Sequence, residues 1–398
     1  MRVQLRRFDR IAIRSEARSA ISLRRRITIS IAAAAIALGV AAGPARADGT
    51  LALRGVYYKE RATRVMQPML DGMFEAGERG LVTAHFLVDA ITSASASSGA
   101  VDTASFTEQR YEAGAGYTHQ LSDWKVGGEA KYSSESDYKS FYAGARGELE
   151  LAQKNTVLGL GGGLGHDTIS GGPASGLARL MLQCERDKQE TAECGLTTYS
   201  MFLSASQIVS RNAVVGVSAD LATLRGYMSN PYRSAIVGSG TSIGTLRERH
   251  PTERNRTAVA ASARYYIRQT HTTLIGAYRF YRDNWQIHAH TPELRAVQEV
   301  GSSIDATLGY RFYDQTRKAF FYEERYAMEQ PYLSDDVKLS KFTSHTIEAR
   351  LGILGEAFQL DGRWAGARFE AILQYIVQNN RFGNAVVAHA ALTIPFSY

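Results

Sequence analysis

Tyr278-Arg279-Phe280-Tyr281-Arg282-Asp283-Asn284-Trp285 closes a run in which apolar and polar residues alternate, and Tyr310-Arg311-Phe312-Tyr313-Asp314-Gln315-Thr316 repeats the phrase. A period of two is that of a strand with two unlike faces. In each copy an arginine stands between aromatic residues, so rings project from one face and guanidinium groups from the other. A water-soluble sheet hides such rings in a core. A barrel in a membrane shows them to lipid and keeps the arginines in a wet lumen.

The rest of the chain favours the barrel. Val82, Ala84, Phe86, Val88 and Ala90 oppose Thr83, His85 and Asp89; Trp124, Val126, Ala130 and Tyr132 oppose Lys125, Glu129 and Lys131. Val215, Val217, Ala219 and Leu221 oppose Ser218 and Asp220, and Ile347, Ala349, Leu351 and Ile353 oppose Glu348 and Arg350. Each such segment has the length of a tilted membrane strand. Short turns are expected near Gly77–Arg79, Leu121–Asp123, Gln153–Asn155, Ser210–Asn212, Gln269–His271, Asp314–Thr316 and Glu356–Gly362. Longer connections alternate with them near 93–105, 134–137, 168–194, 227–254, 284–302, 330–343 and 379–383. This parity predicts an all-β fold: a transmembrane up-and-down antiparallel barrel of about 16 strands with both termini periplasmic. It also puts Tyr278–Arg282 and Tyr310–Tyr313 on strands of opposite direction. Tyr278, Phe280, Tyr310 and Phe312 then belong to aromatic girdles at the two opposite rims.

Residues 1–47 read as a secretory signal peptide: Arg24, Arg25 and Arg26 precede an apolar run from Ile27, and Ala45-Arg46-Ala47 gives the small-x-small cleavage pattern. Residues 48–398 form the barrel. The leader carries ten arginines against Asp9 and Glu16, so the formal +7 of the whole chain belongs to it and the remainder is near neutral. Nucleic-acid binding loses its electrostatic support. The two cysteines, Cys184 and Cys194, are expected to close a local disulfide in an exported loop. Ile394, Phe396 and Tyr398 share a face at the chain's aromatic end, the form of an assembly signal for the barrel-assembly machinery.

Chemistry is sparse. Gly159–Gly165 lacks the strand-turn-helix setting of a dinucleotide loop and reads as a glycine-rich wall strand. His288 and His290 fall on one face in an expected outer loop, with Asp283 or Glu293 as the only further ligands in view, and Asp335-Asp336 reads as a solvated turn with a calcium or lipopolysaccharide alternative. His85, His119, His345 and His389 combine with no serine and acid at a spacing that singles out a hydrolase triad. No cofactor, no metal and no enzyme are expected. The polar faces remain: Arg256, Arg264, Arg279, Arg311, Asp305, Glu348, Arg350, Arg368 and Glu370 are the pore-lining candidates.

Several phrases in order resemble a family of uncharacterised bacterial outer-membrane barrels carried as a domain of unknown function. They are Tyr57-Tyr58 with Glu60, Asp89-Ala90, Asn230-Pro231-Tyr232, the two aromatic-arginine phrases, His290-Thr291-Pro292-Glu293-Leu294, and Ser334-Asp335-Asp336 with Leu339-Ser340. The resemblance implies an outer-membrane barrel and supplies no substrate. The expected function is passage of small polar or anionic solutes, or of an exported product. The alternatives are a plugged structural barrel whose loops bind a periplasmic or extracellular partner, and an outer-membrane hydrolase. Outer-membrane lipids and lipopolysaccharide are the expected surroundings.

Overall fold

A computed structural model describes residues 48–61, 63–94, 105–171, 181–185, 188–240 and 242–397. The leader and Tyr398 lie outside them. The first nine strands are Gly49–Lys59 (β1), Thr63–Ala76 (β2), Gly80–Ala94 (β3), Ser105–Leu121 (β4), Trp124–Ser134 (β5), Tyr138–Leu151 (β6), Thr156–Ser170 (β7), Glu193–Ser210 (β8) and Ala213–Gly226 (β9). A short hairpin follows, Ser234–Ser239 (β10) and Ser242–Arg247 (β11). The last seven are Glu253–Ile267 (β12), Thr272–Asp283 (β13), His288–Val300 (β14), Ile304–Arg317 (β15), Phe342–Leu354 (β16), Arg368–Gln378 (β17) and Ala385–Phe396 (β18). The strands β10 and β11 pair only with each other, while the other 16 pair antiparallel in turn, β1 with β18, and close into one barrel.

Closure satisfies every backbone edge, which hydrocarbon surroundings demand. The side chains obey the same demand. Leu294, Tyr310, Ile347 and Tyr375 follow one another across β14 to β17 in a single row, all of them exposed on the outer surface. Leu308 is 64% exposed and Leu373 55%. Such exposure of aliphatic side chains would be a liability in water and is the normal state against lipid.

At one end of the barrel, connections 77–79, 122–123, 152–155, 211–212, 268–271 and 301–303 are two to four residues long. There Gly77 and His271 adopt positive φ, as tight turns require. The start of β1 and the end of β18 lie at this turn end. The other, loop end carries 60–62, 95–104, 135–137, 171–192, 227–252, 284–287, 318–341 and 379–384.

Four expectations are corrected. Residues 284–302 are not one long loop: His288–Val300 is β14, and Asp314–Thr316 is the interior of β15 rather than a turn. Connection 355–367 is longer than expected, with 3-10 turns at Gly355–Phe358 and Gly362–Trp364. The strand β14 is masked in sequence because Pro292 sits in its middle and polar residues occupy both faces. Lacking an N–H, the proline leaves a gap in the pairing with β15 between His290↔Asp314 and Glu293↔Arg311. One added strand reverses the direction of β15. Both aromatic-arginine phrases therefore climb toward the loop end on β13 and β15, and Tyr278, Phe280, Tyr310 and Phe312 face outward in the same half of the barrel. They do not lie at opposite rims.

Candidate pore and its loop cap

The pairing register fixes which side chains share a face. Arg256 stands opposite Asp283, Arg279 opposite Thr291, Arg311 opposite Glu293 and Thr346, and Arg350 opposite Thr307. Continuing through Glu348↔Gln374, Asp305↔Gly352 and Leu354↔Arg368, all nine pore-lining candidates fall on the inward face. With Arg295, each of the six strands β12 to β17 contributes at least one inward arginine.

Their employment differs. Arg368 lies 2.6 Å from Asp305 and 3.8 Å from Glu370, which is also 3.8 Å from Arg350. Gln374 donates to Glu348 at 2.5 Å, and Arg295 pairs with Glu293 at 2.5 Å. Arg254, just below the loop end, is held by Asp283 at 2.6 Å. Arg256, Arg264, Arg279 and Arg311 make no ion pair among the described residues. Pairing among the inward arginines thus differs from one to the next.

A second charged group lines β1 to β4. Arg54 pairs with Asp71 at 3.1 Å, His85 lies 2.6 Å from Asp71 and 3.7 Å from Glu112, and Arg110 pairs with Asp89 at 2.7 Å. Arg54, Asp71, Arg110 and Glu112 were not among the sequence candidates. The alternation of Arg110 and Glu112 with Tyr111 and Ala113 was the available signal. On β7, Gly159, Gly161, Gly163 and Gly165 face inward, and the Tyr142 ring lies where a side chain on Gly163 would be. The glycine run is a smooth stretch of lumen wall.

The long loops fold over the mouth. Inward-facing Ile169, Cys194, Leu196 and Leu224 pack with Leu182 and Tyr227 from loops 171–192 and 227–252 in one apolar cluster. The disulfide Cys184–Cys194, with Cα atoms 5.4 Å apart, ties the first of these loops to the top of β8. A second cluster joins Trp285, Ile287, Ala319, Phe321, Tyr322 and Leu339 from two connections, 284–287 and 318–341, and a third joins Ala235 to Tyr326 and Leu333. Backbone bridges Val237↔Tyr326 and Arg249↔Leu333 fasten loop 227–252 to loop 318–341. A cavity of about 590 Å³ remains between them, lined by Leu182, Tyr227, Arg247, Glu248, His250 and their neighbours.

Buried charges pin this cap. Arg233 lies between Asp336 and Glu248, and Ser334 donates to Glu248 at 2.8 Å. Burial alone would raise the Glu248 carboxyl, yet His250, Arg233 and the Asn230 amide outweigh it and hold it below the usual range. Asp335 is different. Its side chain is 1% exposed, neither carboxylate oxygen has a hydrogen bond, and Arg381 is 3.9 Å away. Burial pushes it up to about 6 against the pull of Arg381 and Arg233. The pair Asp335-Asp336 is therefore a buried junction of loops and not a solvated turn.

Other sequence candidates separate. His288 and His290 face outward whereas Asp283 and Glu293 face inward, so the four cannot share an ion. Among the described residues no cluster of three His, Cys, Asp or Glu side chains could hold a metal. His290 and His345 instead meet the hydroxyls of Tyr278 and Tyr310 at 2.6 and 2.7 Å on the outer surface. Ile394 and Phe396 face outward on β18, and the Phe396 ring centroid is 5.8 Å from that of Phe74.

A family model described as "Protein of unknown function (DUF3570)" matches residues 102–375. No curated protein matches the chain. Solved structures with a similar chain course include three from Pseudomonas aeruginosa. OccK2 (OpdF) is 10% identical, with 88% of this chain and 98% of that one covered and a TM-score of 0.43. The outer membrane protein OpdK is 10% identical, with 88% and 99% covered and a TM-score of 0.44. OccK8 (OprE) is 9% identical, with 88% and 98% covered and a TM-score of 0.45.

Proposed function

The chain belongs to the DUF3570 family, whose description names no activity, and we propose from its own geometry that it is an outer-membrane channel for small polar or anionic solutes. The observation that carries this reading is the set of inward guanidinium groups on Arg256, Arg264, Arg279 and Arg311, without an ion pair among the described residues, inside a barrel whose exterior is apolar. Charges that only held the wall together would be spent on one another, as those of Arg350 and Arg368 are. Cations left facing a lumen attract anions and lower the barrier to their passage. The mechanism is diffusion past the arginines with no covalent step. The leader directs export, the turn end faces the periplasm, and the cap faces outward among lipopolysaccharide. Assembly proceeds through the barrel-assembly machinery, which reads Ile394, Phe396 and Tyr398.

The cap favours a second reading, a barrel whose loops bind an external partner and whose lumen stays shut. Single-channel recording of the refolded protein in planar bilayers separates the two. Steady conductance with a reversal potential displaced toward anions supports the channel. A folded, heat-modifiable protein that carries no current would leave the binding barrel.

A further inference from the structure

One row of the lumen wall has the composition of a ligand site. The register pairs Arg146 of β6 with Gly161 of β7, Gly161 with Phe202 of β8, and Phe202 with Asp220 of β9. All four residues face inward, so a cation, a gap, a ring and an anion lie side by side across four strands. Arg146 and Asp220 are exposed and make no ion pair or side-chain hydrogen bond among the described residues. Phe202 is 42% exposed on the polar face, the reverse of what a lumen needs for water alone. A cavity of about 390 Å³ lies over these residues, with Tyr142 and Ser200 at its edge.

We propose that this row binds a short zwitterionic peptide. Arg146 takes the carboxylate in its planar fork, Asp220 takes the ammonium, and Phe202 is covered by the apolar group between them. Adjacent strands are ~4.8 Å apart, so the Cα atoms of Arg146 and Asp220 are separated by roughly 14 Å. Both side chains shorten that span, and a di- or tripeptide fits what is left. A sugar leaves both charges without partners, and a dianion sets its second charge against Asp220. Gly161 keeps the space between guanidinium and ring open, since a side chain there would start against Arg146 Cβ at 3.5 Å. The proposal rests on a lumen open to solutes, but its test does not depend on current.

The test is titration calorimetry of the purified protein in detergent with glycyl-phenylalanyl-glycine and with the same peptide acetylated and amidated at its ends. The parent protein should bind the free peptide and bind the end-blocked one at least tenfold more weakly. Arg146→Gln, Asp220→Asn and Phe202→Ala should each weaken binding about tenfold, Gly161→Leu should abolish it, and Arg146→Lys should retain much of it. Heat-modifiable migration confirms that each variant is folded. Equal binding of the blocked peptide, variants that bind like the parent, or a folded parent that does not bind would each overturn the site. Conductance of the same preparations keeps the two readings apart. Binding without current leaves the site and removes the channel; current without binding does the reverse.

Discussion

The arginines of β16 and β17 and those of β12, β13 and β15 share a residue type, an inward face and one barrel, yet they do different work. Arg350 and Arg368 have Asp305 and Glu370 within 4 Å, and their charge is used up in cross-strand pairs. Among the described residues, Arg256, Arg279 and Arg311 have no acid so close. Inward arginine alone is therefore not a functional signature. What matters is whether the neighbouring acid is still available: Asp283, opposite Arg256, is held by Arg254, and Glu293, opposite Arg311, is held by Arg295.

Reversing the unpaired set should have the largest effect. Arg256→Glu, Arg279→Glu and Arg311→Glu together should turn an anion-preferring pore into a cation-preferring one, read as a change of sign in the reversal potential under a salt gradient. A triple variant with unchanged selectivity would erase the distinction between the two groups. Next comes the cap of packed loops at the loop end. A disulfide closing so short a loop contributes about 3 kcal/mol to holding it, so Cys184→Ser with Cys194→Ser should lengthen open times and expose loop 171–192 to protease. Iodoacetamide should label the native cysteines only after reduction.

The paired set should answer differently. Arg368→Ala should cost about 1 kcal/mol in urea unfolding, modest because the pair is partly solvated, and should shift selectivity far less than Arg279→Ala does. The smallest effect is a pH effect on the cap. The Asp335 carboxyl is raised in the docked cap, so the stabilisation it gives is complete below its ordinary value near 3.8 and is lost as pH rises through about 6. Channel closures should be most frequent in mild acid and fall off toward neutrality, and Asp335→Asn should flatten that profile.

The barrel was legible in the sequence because lipid on one side and water on the other impose a two-residue period that runs like Val215–Leu221 or Ile347–Ile353 display openly. The strand β14 was not, because Pro292 and a polar outer edge remove the period where the strand is still held by its neighbours. The nine inward candidates followed from the same alternation. Their pairing did not, since Arg368 and Asp305 are 63 residues apart in sequence. The cap was illegible for a like reason: Tyr232 donates to Asp137 and Arg381 to the Asp335 carbonyl across loops whose meeting no local pattern announces.

The one strand between the two aromatic-arginine phrases has a consequence for transport over salt. Arg279 and Arg311 project from strands two apart and are offset by two residues along β14, so their Cα atoms stand roughly 12 Å from one another across the wall. That is comparable to the screening length of electrolyte at physiological strength, ~8 Å. In dilute medium the two fields merge into a single broad basin, and a passing anion is never out of reach of one guanidinium or the other. In brine the basin divides into two separate footholds with a barrier between them. In the proposed channel, the spacing set by β14 would thus make the external salinity a determinant of whether an anion glides or hops.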